Sequence, residues 1–285
     1  MVDLAESLDR VVAAALAEDV GDGDLTTEGV VPAGARCSAM LLVKEPGVLS
    51  GVPAAARVFQ TLHPDVRVEA LVEEGARLER PAAVARLEGP ARPILTGERT
   101  ALNLLGRLSG IATLTSRYVD AVAGTRTRIL DTRKTTPGLR TLERYAVRCG
   151  GGRNHRFGLH DAILLKENHL RIAGGIGPAT AALANRNGTF LEVEAETLEQ
   201  VVEALAAGVD WILLDNMTPA EVAAAVALAG GRAQLEASGG ITLANVRAYA
   251  ETGVDEISVG ALTHSARSLD VSLELDATPR EEGMR

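Results

Sequence analysis

Cationic, acidic and glycine-rich positions recur in this 285-residue chain at one kind of place, at or just after a short apolar run. RILD (128–131) is followed by Thr132, Arg133 and Lys134, and AILL (162–165) by Lys166, Glu167, Asn168 and His169. FLEVE ends on Glu194 and WILLD on Asp215; AQLE leads to Ser238-Gly239-Gly240, and DEISV to Gly260. Arg133, Lys134, Arg156 and Lys166, with His155 beside them, would repel one another unless their ligand is polyanionic. Arginine's planar fork suits a carboxylate or a phosphate. Glu194 and Asp215 offer hard oxygen ligands that suit magnesium, completed by water or phosphate oxygens. The turns Ser238-Gly239-Gly240 and Val259-Gly260-Ala261 present backbone amides that can cradle a phosphate. His264, just past the second turn, reads either as a phosphate ligand or as a helix-end residue. One charged residue at a strand end is ordinarily only solvated. Six consecutive strand ends of this kind indicate a site.

The elements that must position these residues follow from periodicity. From residue 127 onward, strand-like runs alternate with alanine-rich helical stretches such as 197–207 and 219–229, and the later runs recur every twenty-odd residues. That is the length of a βα unit, so the region reads as a parallel sheet whose strand ends share one rim. Six such runs are fewer than an eight-stranded barrel needs, which predicts an incomplete barrel, with an open doubly wound sheet as the competing arrangement. Upstream, residues 4–17 read as a helix and GDGDLTT (21–27) as the turn that ends it. Residues 36–95 read as short strands and turns with one helix near 53–62. A long helix is predicted over 97–123, with Thr96 as its N-cap.

Composition narrows the function classes. Hydrophobic residues make up 46% of the chain and charged residues 24%, enough apolar material for a core. A net charge of −9 and an aromatic content of 2% argue against nucleic acid or an anionic membrane as partner. Cys37 and Cys149 are far apart with no CxxC partner, which fits a reducing cytoplasm and no disulfide framework. The first residues carry acids where a secretory leader would carry cations, so no leader is expected, and no apolar run reaches membrane-spanning length. Gly150-Gly151-Gly152 follows no strand in the order that a dinucleotide fingerprint requires. Cys149 has no evident activating base and reads as an inert thiol. The stretch 73–91 has the cadence of a carrier-type β-sandwich but no lysine at the hairpin tip for cofactor attachment.

Taken in order, GERTALNLLGRLSGIAT (97–113), DTRKTTPGLR (131–140), RYAVRCGGGRNHRFGL (144–159), LLKENH (164–169), LEVEAETLEQ (191–200), ILLDNM (212–217), EASGGI (236–241) and VGALTHS (259–265) resemble the quinolinate phosphoribosyltransferases, also called nicotinate-nucleotide pyrophosphorylases (carboxylating). The resemblance covers nearly the whole chain. It implies an α/β fold: an N-terminal α/β sandwich over 1–110, with 265–285 packing back on it, and an incomplete α/β barrel of six to seven strands over 111–264. It implies transfer of phosphoribose from phosphoribosyl pyrophosphate to quinolinate with loss of CO2, giving nicotinate mononucleotide and pyrophosphate for NAD biosynthesis. In that reading Arg99, Arg133, Lys134, His155, Arg156 and Lys166 face quinolinate, and Thr132 is among the substrate-binding residues. Glu194 and Asp215 face the donor's magnesium pyrophosphate and ribose. Ser238, Gly239, Gly240 and Gly260 face its 5-phosphate, and Val259, Ala261 and His264 complete the substrate-binding set. Lys134, Lys166, Glu194 and Asp215 are the catalytic set, and Mg2+ is the cofactor. A homodimer with shared sites, extendable to a higher assembly, is implied as well. The alternatives are a ModD-type molybdenum-transport protein, a nicotinate-salvage enzyme, or a non-catalytic phosphate-ligand sensor on the same fold. A sensor has no need of two metal-binding acids.

Overall fold

A computed structural model describes residues 3–185 and 188–276. The chain divides into two units. One holds everything described up to Leu114, together with Thr135–Gly151 and the described residues from Ser265 on; the other holds Thr115–Lys134 and Gly152–His264.

The first unit opens with α1 (Leu4–Val20), capped by the Asp3 carboxylate, and α2 (Leu25–Val30), capped by Asp24. The second of these helices falls on GDGDLTT, where the sequence predicts only a turn. Asp24 accepts from Thr27 N–H and so starts a helix at the point where the glycines end the previous one. Then come β1 (Arg36–Val43), β2 (Gly47–Val48), α3 (Val52–Leu62), β3 (Arg67–Ala70), β4 (Arg77–Leu78) and β5 (Ala82–Pro90). The long α4 (Ala91–Ala121) follows and begins six residues before the predicted start. The predicted start rests on Thr96 as the N-cap, but the helix is already under way there. Pro93 falls in the first helical turn, where a missing N–H costs nothing. Thr96 is therefore inside the helix, and its hydroxyl donates to Asp24 instead of capping.

After β6 (Arg128–Leu130), α5 (Arg140–Cys149) belongs again to the first unit. The second unit continues as β7 (Ile163–Leu165), α6 (Glu167–Ala173), α7 (Ile176–Ala182), β8 (Leu191–Ala195), α8 (Leu198–Ala206), β9 (Trp211–Asp215), α9 (Pro219–Ala229), β10 (Gln234–Ser238), α10 (Val246–Ala250), β11 (Glu256–Ser258) and α11 (Ala261–His264). The chain then returns to the first unit as β12 (Val271–Leu275).

In the first unit the sheet order is β12-β1-β5-β3, with the pairings antiparallel. The pairing of β12 with β1 seats the chain beyond His264 on the N-terminal sheet as far as Asp276; residues 277–285 lie outside the described residues. Leu41, Leu87, Phe59, Ile94 and Leu105, all fully buried, bring strands and helices into one core.

In the second unit six parallel strands run in the order β6-β11-β10-β9-β8-β7. The outer edge of β6 is extended by a single parallel bridge, Leu130 to Arg153. The α8 and α9 helices start where sequence rules place them. Thr197 caps the first, and a Thr218–Glu221 capping box with Pro219 in the first turn opens the second. Strand side chains alternate between faces. In β8 the leucine and valine of LEVE lie on one face and Glu192 and Glu194 on the other, and all four are buried. The same row carries Glu236, opposite Glu256, which is in turn opposite Arg128. Among the described residues no helix is long and apolar enough to cross a membrane.

Candidate active site

The carboxyl ends of the parallel strands gather two groups of charge. Glu194, at the tip of β8, holds its carboxylate between two donors: Lys166 Nζ lies 3.3 Å from Oε2, and Glu167 N–H donates to Oε1 at 3.2 Å. The adjacent strand ends on Asp215. Burial raises the pKa of Asp215, and the charge of Glu194 raises it further, while Lys166 and Lys134 pull it back. Two acids and two lysines from four separate strand ends therefore feel one another. Lys134 also runs along the next turn: a Cβ built on Gly260 would lie 2.9 Å from Lys134 Cδ and 3.2 Å from His264 Nε2. Gly260 thus leaves room for the lysine stem and the imidazole, while Thr263 donates to the Lys134 carbonyl at 2.8 Å.

The second group is built under Arg133 and Arg156. Asp131, fully buried after β6, accepts from His155 N–H at 2.8 Å and from Asn154 Nδ2 at 2.5 Å, and so orients the loop that carries His155 and Arg156. His155 Nε2 lies 3.0 Å from Glu192 and 3.3 Å from Glu236. Burial would drive the proton off His155, but hydrogen bonds to Glu192 and Glu236 win and push its pKa up to about 10. Glu192 is also pushed up, first by burial and then by Glu236. Nδ1 accepts from Arg156 N–H at 2.7 Å. The imidazole thus directs Nε2–H at the two glutamates, and the cluster as a whole keeps its proton well above the pH at which a free histidine releases it. Burial, then the charge of Arg133, lowers the pKa of Arg156, so the two guanidiniums are neighbours. Arg156 is held by a bond to Ala162 O at 3.1 Å.

Two sets of side chains are candidates for a metal. His155, Glu192 and Glu236 bring their ligand atoms within 4.8 Å of one another. Because Nε2 of His155 donates to the two carboxylates, it offers no lone pair to an ion, which spoils that set. Glu194 and Asp215 remain: two carboxylates whose mutual repulsion a hard cation would relieve. The Ser238-Gly239-Gly240 turn follows β10, with both glycines at positive φ, 91° and 61°. Arg99 belongs to the first unit, where it lines a cavity of about 300 Å3 with Asn103, Ser268 and Asp270. It is not among the residues that the second unit brings together.

The family model described as "Quinolinate phosphoribosyl transferase, C-terminal domain" matches residues 111–274, and that of the N-terminal domain matches residues 24–109. The chain belongs to the quinolinate phosphoribosyltransferase family. It is 47% identical over 265 residues to the probable nicotinate-nucleotide pyrophosphorylase [carboxylating] of Synechocystis, covering 91% of this chain and 90% of the relative. It is 46% identical over 268 residues to the nicotinate-nucleotide pyrophosphorylase [carboxylating] of Mycobacterium leprae, covering 92% and 94%. The solved structure of the nicotinate-nucleotide pyrophosphorylase from Francisella tularensis superposes with a TM-score of 0.91 at 40% identity, covering 95% of this chain and 96% of that one.

In this member of the family, sequence reasoning missed Asp131, Asn154, Glu192, Glu236 and Asn216. A signal existed for the two glutamates. A charge in the middle of a short buried strand, as in LEVE and in AQLE, has to be paired, and the one histidine of GGGRNHR was available to pair it. Asp131 was hidden as the last residue of RILD, where it read as an ordinary strand end.

Proposed function

We propose that this chain transfers phosphoribose from phosphoribosyl pyrophosphate to quinolinate and releases pyrophosphate and CO2, forming nicotinate mononucleotide for NAD biosynthesis. The observation that carries the reading is the meeting of Glu194, Asp215, Lys166 and Lys134 at the strand ends of a chain from this family. In the proposed site, Arg133, Arg156, Lys134, Thr132 and Lys166 hold the two carboxylates of quinolinate, with His155 fixed beneath them. Arg99 is supplied by the partner of a homodimer. Glu194 and Asp215 hold the ribose and, through the bound pyrophosphate, Mg2+; magnesium when bound neutralises charge that develops on the leaving pyrophosphate. The turns at Ser238-Gly239-Gly240 and Val259-Gly260-Ala261, with His264, hold the 5-phosphate. We place the enzyme in the cytoplasm, where Cys37 and Cys149 stay reduced.

The residues act by placement and by charge. The ring nitrogen of quinolinate attacks the anomeric carbon as the bond to pyrophosphate breaks, through a sugar with cationic character. The acids on the ribose side favour that charge, and the cations on the quinolinate side hold the nucleophile in line. Once ribosylated, the ring nitrogen is positive. The bond from the adjacent ring carbon to its carboxylate then breaks to give CO2, the electron pair stays on that carbon beside the positive nitrogen, and a proton replaces the carboxylate.

The test mixes quinolinate, phosphoribosyl pyrophosphate and Mg2+ with the enzyme and follows CO2 and nicotinate mononucleotide. Both should form, and nicotinate should not substitute. Several cations left without a carboxylate disfavour the mono-acid by kilocalories rather than tenths. Comparable turnover of nicotinate would reject the assignment.

A further inference from the structure

Among the described residues, Asn216 is the one non-glycine residue with a left-handed backbone, at φ 55°. That conformation costs a residue with a Cβ on the order of 1 kcal/mol and persists where the surroundings enforce it. Glycine would take it freely, so a turn alone does not account for an asparagine here. Helix capping does not account for it either, since α9 is already capped by Thr218 and Glu221.

Three contacts show what the residue does. Asn216 Nδ2 donates to Asp215 Oδ2 at 2.8 Å. Asn216 N–H donates to the Ser238 carbonyl at 2.9 Å. The amide oxygen fills the space over Gly239: a Cβ built on that glycine would come within 2.2 Å of Asn216 Oδ1 and 2.9 Å of Asn216 N. Gly239 is thus required twice, by its own φ of 91° and by the asparagine pressed against it. One residue touches both the acid at the end of β9 and the glycine turn at the end of β10.

We propose that Asn216 is a positioning residue for the donor half of the site. Its amide takes one oxygen of Asp215 and fixes the carboxylate's orientation. Its backbone and amide oxygen tie that same frame to the Ser238-Gly239-Gly240 turn. A single residue thus links the acid that faces the ribose and magnesium to the turn that faces the 5-phosphate. A neutral donor is what the position needs. Aspartate would set a second negative charge against Asp215, glycine has no donor, and a cation would compete with the metal. The proposal rests on the reading of Asp215 and the glycine turn given above.

The experiment uses the full-length enzyme and the variants Asn216→Gly and Asn216→Asp. Wild type is first shown to make CO2 and nicotinate mononucleotide from quinolinate and phosphoribosyl pyrophosphate; failure there rejects the functional reading and not the positioning role. Calorimetry then measures each substrate's binding separately, with Mg2+ present. Asn216→Gly keeps the backbone at no cost and removes only the amide. It should melt at the wild-type temperature, bind phosphoribosyl pyrophosphate roughly ten- to a hundredfold more weakly, as for a lost hydrogen bond to a charged group, and hold quinolinate within about twofold of wild type. Asn216→Asp should lose at least as much donor affinity and regain part of it at higher Mg2+. Wild-type donor binding in Asn216→Gly overturns the proposal. So does an equal loss for both substrates together with a lower melting temperature, which is the signature of a purely structural residue.

Discussion

Lys166 Nζ stands 3.3 Å from Glu194 Oε2, a half-exposed cation against a nearly buried acid. As a stability element such a pair is worth little, about 1 kcal/mol at most. Its placement beside Asp215 matters more, because the lysine offsets the repulsion that Glu194 exerts on that acid. Lys166→Met should therefore leave the melting temperature close to wild type while lowering turnover by at least about tenfold, the scale of one lost charge-assisted contact. Denaturation and steady-state rates on the same preparation separate the two effects. A large loss of stability with near-normal turnover would reverse the assignment.

His155 and its two glutamates make stability depend on pH in a definite direction. The folded pKa of His155, about 10, lies above its ordinary 6.5, so between those values the folded state holds more protons than the unfolded state. The stabilisation is complete below the unfolded pKa and is lost as pH climbs toward the folded one. Glu256, pushed up to about 7 first by burial and then, against the opposing pull of Arg128, by Glu236, slopes the same way at lower pH. The unliganded enzyme should lose melting temperature steadily from pH 7 to pH 10. His155→Gln should flatten that slope, and thermal unfolding across this range checks it. A slope unchanged in the variant would mean that other groups carry the proton uptake.

Glu143 is fully buried in the first unit and is bonded by Arg107 at 2.8 Å, by Thr136 N–H at 3.0 Å and by the Thr136 hydroxyl at 2.8 Å. Removing the acid leaves the Arg107 charge and the Thr136 donors without this partner. Glu143→Ala should cost about 3–5 kcal/mol of folding free energy. Chemical denaturation measures it, and a cost under about 1 kcal/mol would mean that water replaces the carboxylate.

How far the site could be read from sequence depended on what each residue does locally. Lys166, Glu194 and Asp215 stood out because a charge terminating a short apolar run has few reasons to be there, and strand polarity alone carries such residues to one end of the sheet. Glu192 and Glu236 did not stand out, because periodicity gives the face of a strand but not what crosses it. Their partner, His155, comes from a loop whose backbone meets the sheet at the Leu130–Arg153 bridge, far from β8 and β10 in the sequence. Asn216 was written in LLDN but carried no signal, since a positive φ leaves no mark on an asparagine's neighbours. In α4 local rules misled: Thr96 suggested an N-cap at a point the helix passes through.

Arg99 belongs to the first unit, on α4, outside the cation group of the second. The shared-site proposal gives it to the partner's site in a homodimer, where a two-fold arrangement makes each active site a composite of two chains. Arg99→Ala and Lys134→Ala should each be inactive alone. When the two variants exchange subunits, a mixed dimer has one site carrying both lesions and one site carrying neither. Random re-association of equal amounts makes half of the dimers mixed, so roughly a quarter of wild-type sites should return. If Arg99 instead served the site of its own chain, every site in every mixture would carry a lesion. Activity is followed as CO2 release after subunit exchange has been verified with differently tagged chains. Recovery near a quarter supports the shared site; no recovery after proven exchange rejects it and leaves the reaction itself unaffected.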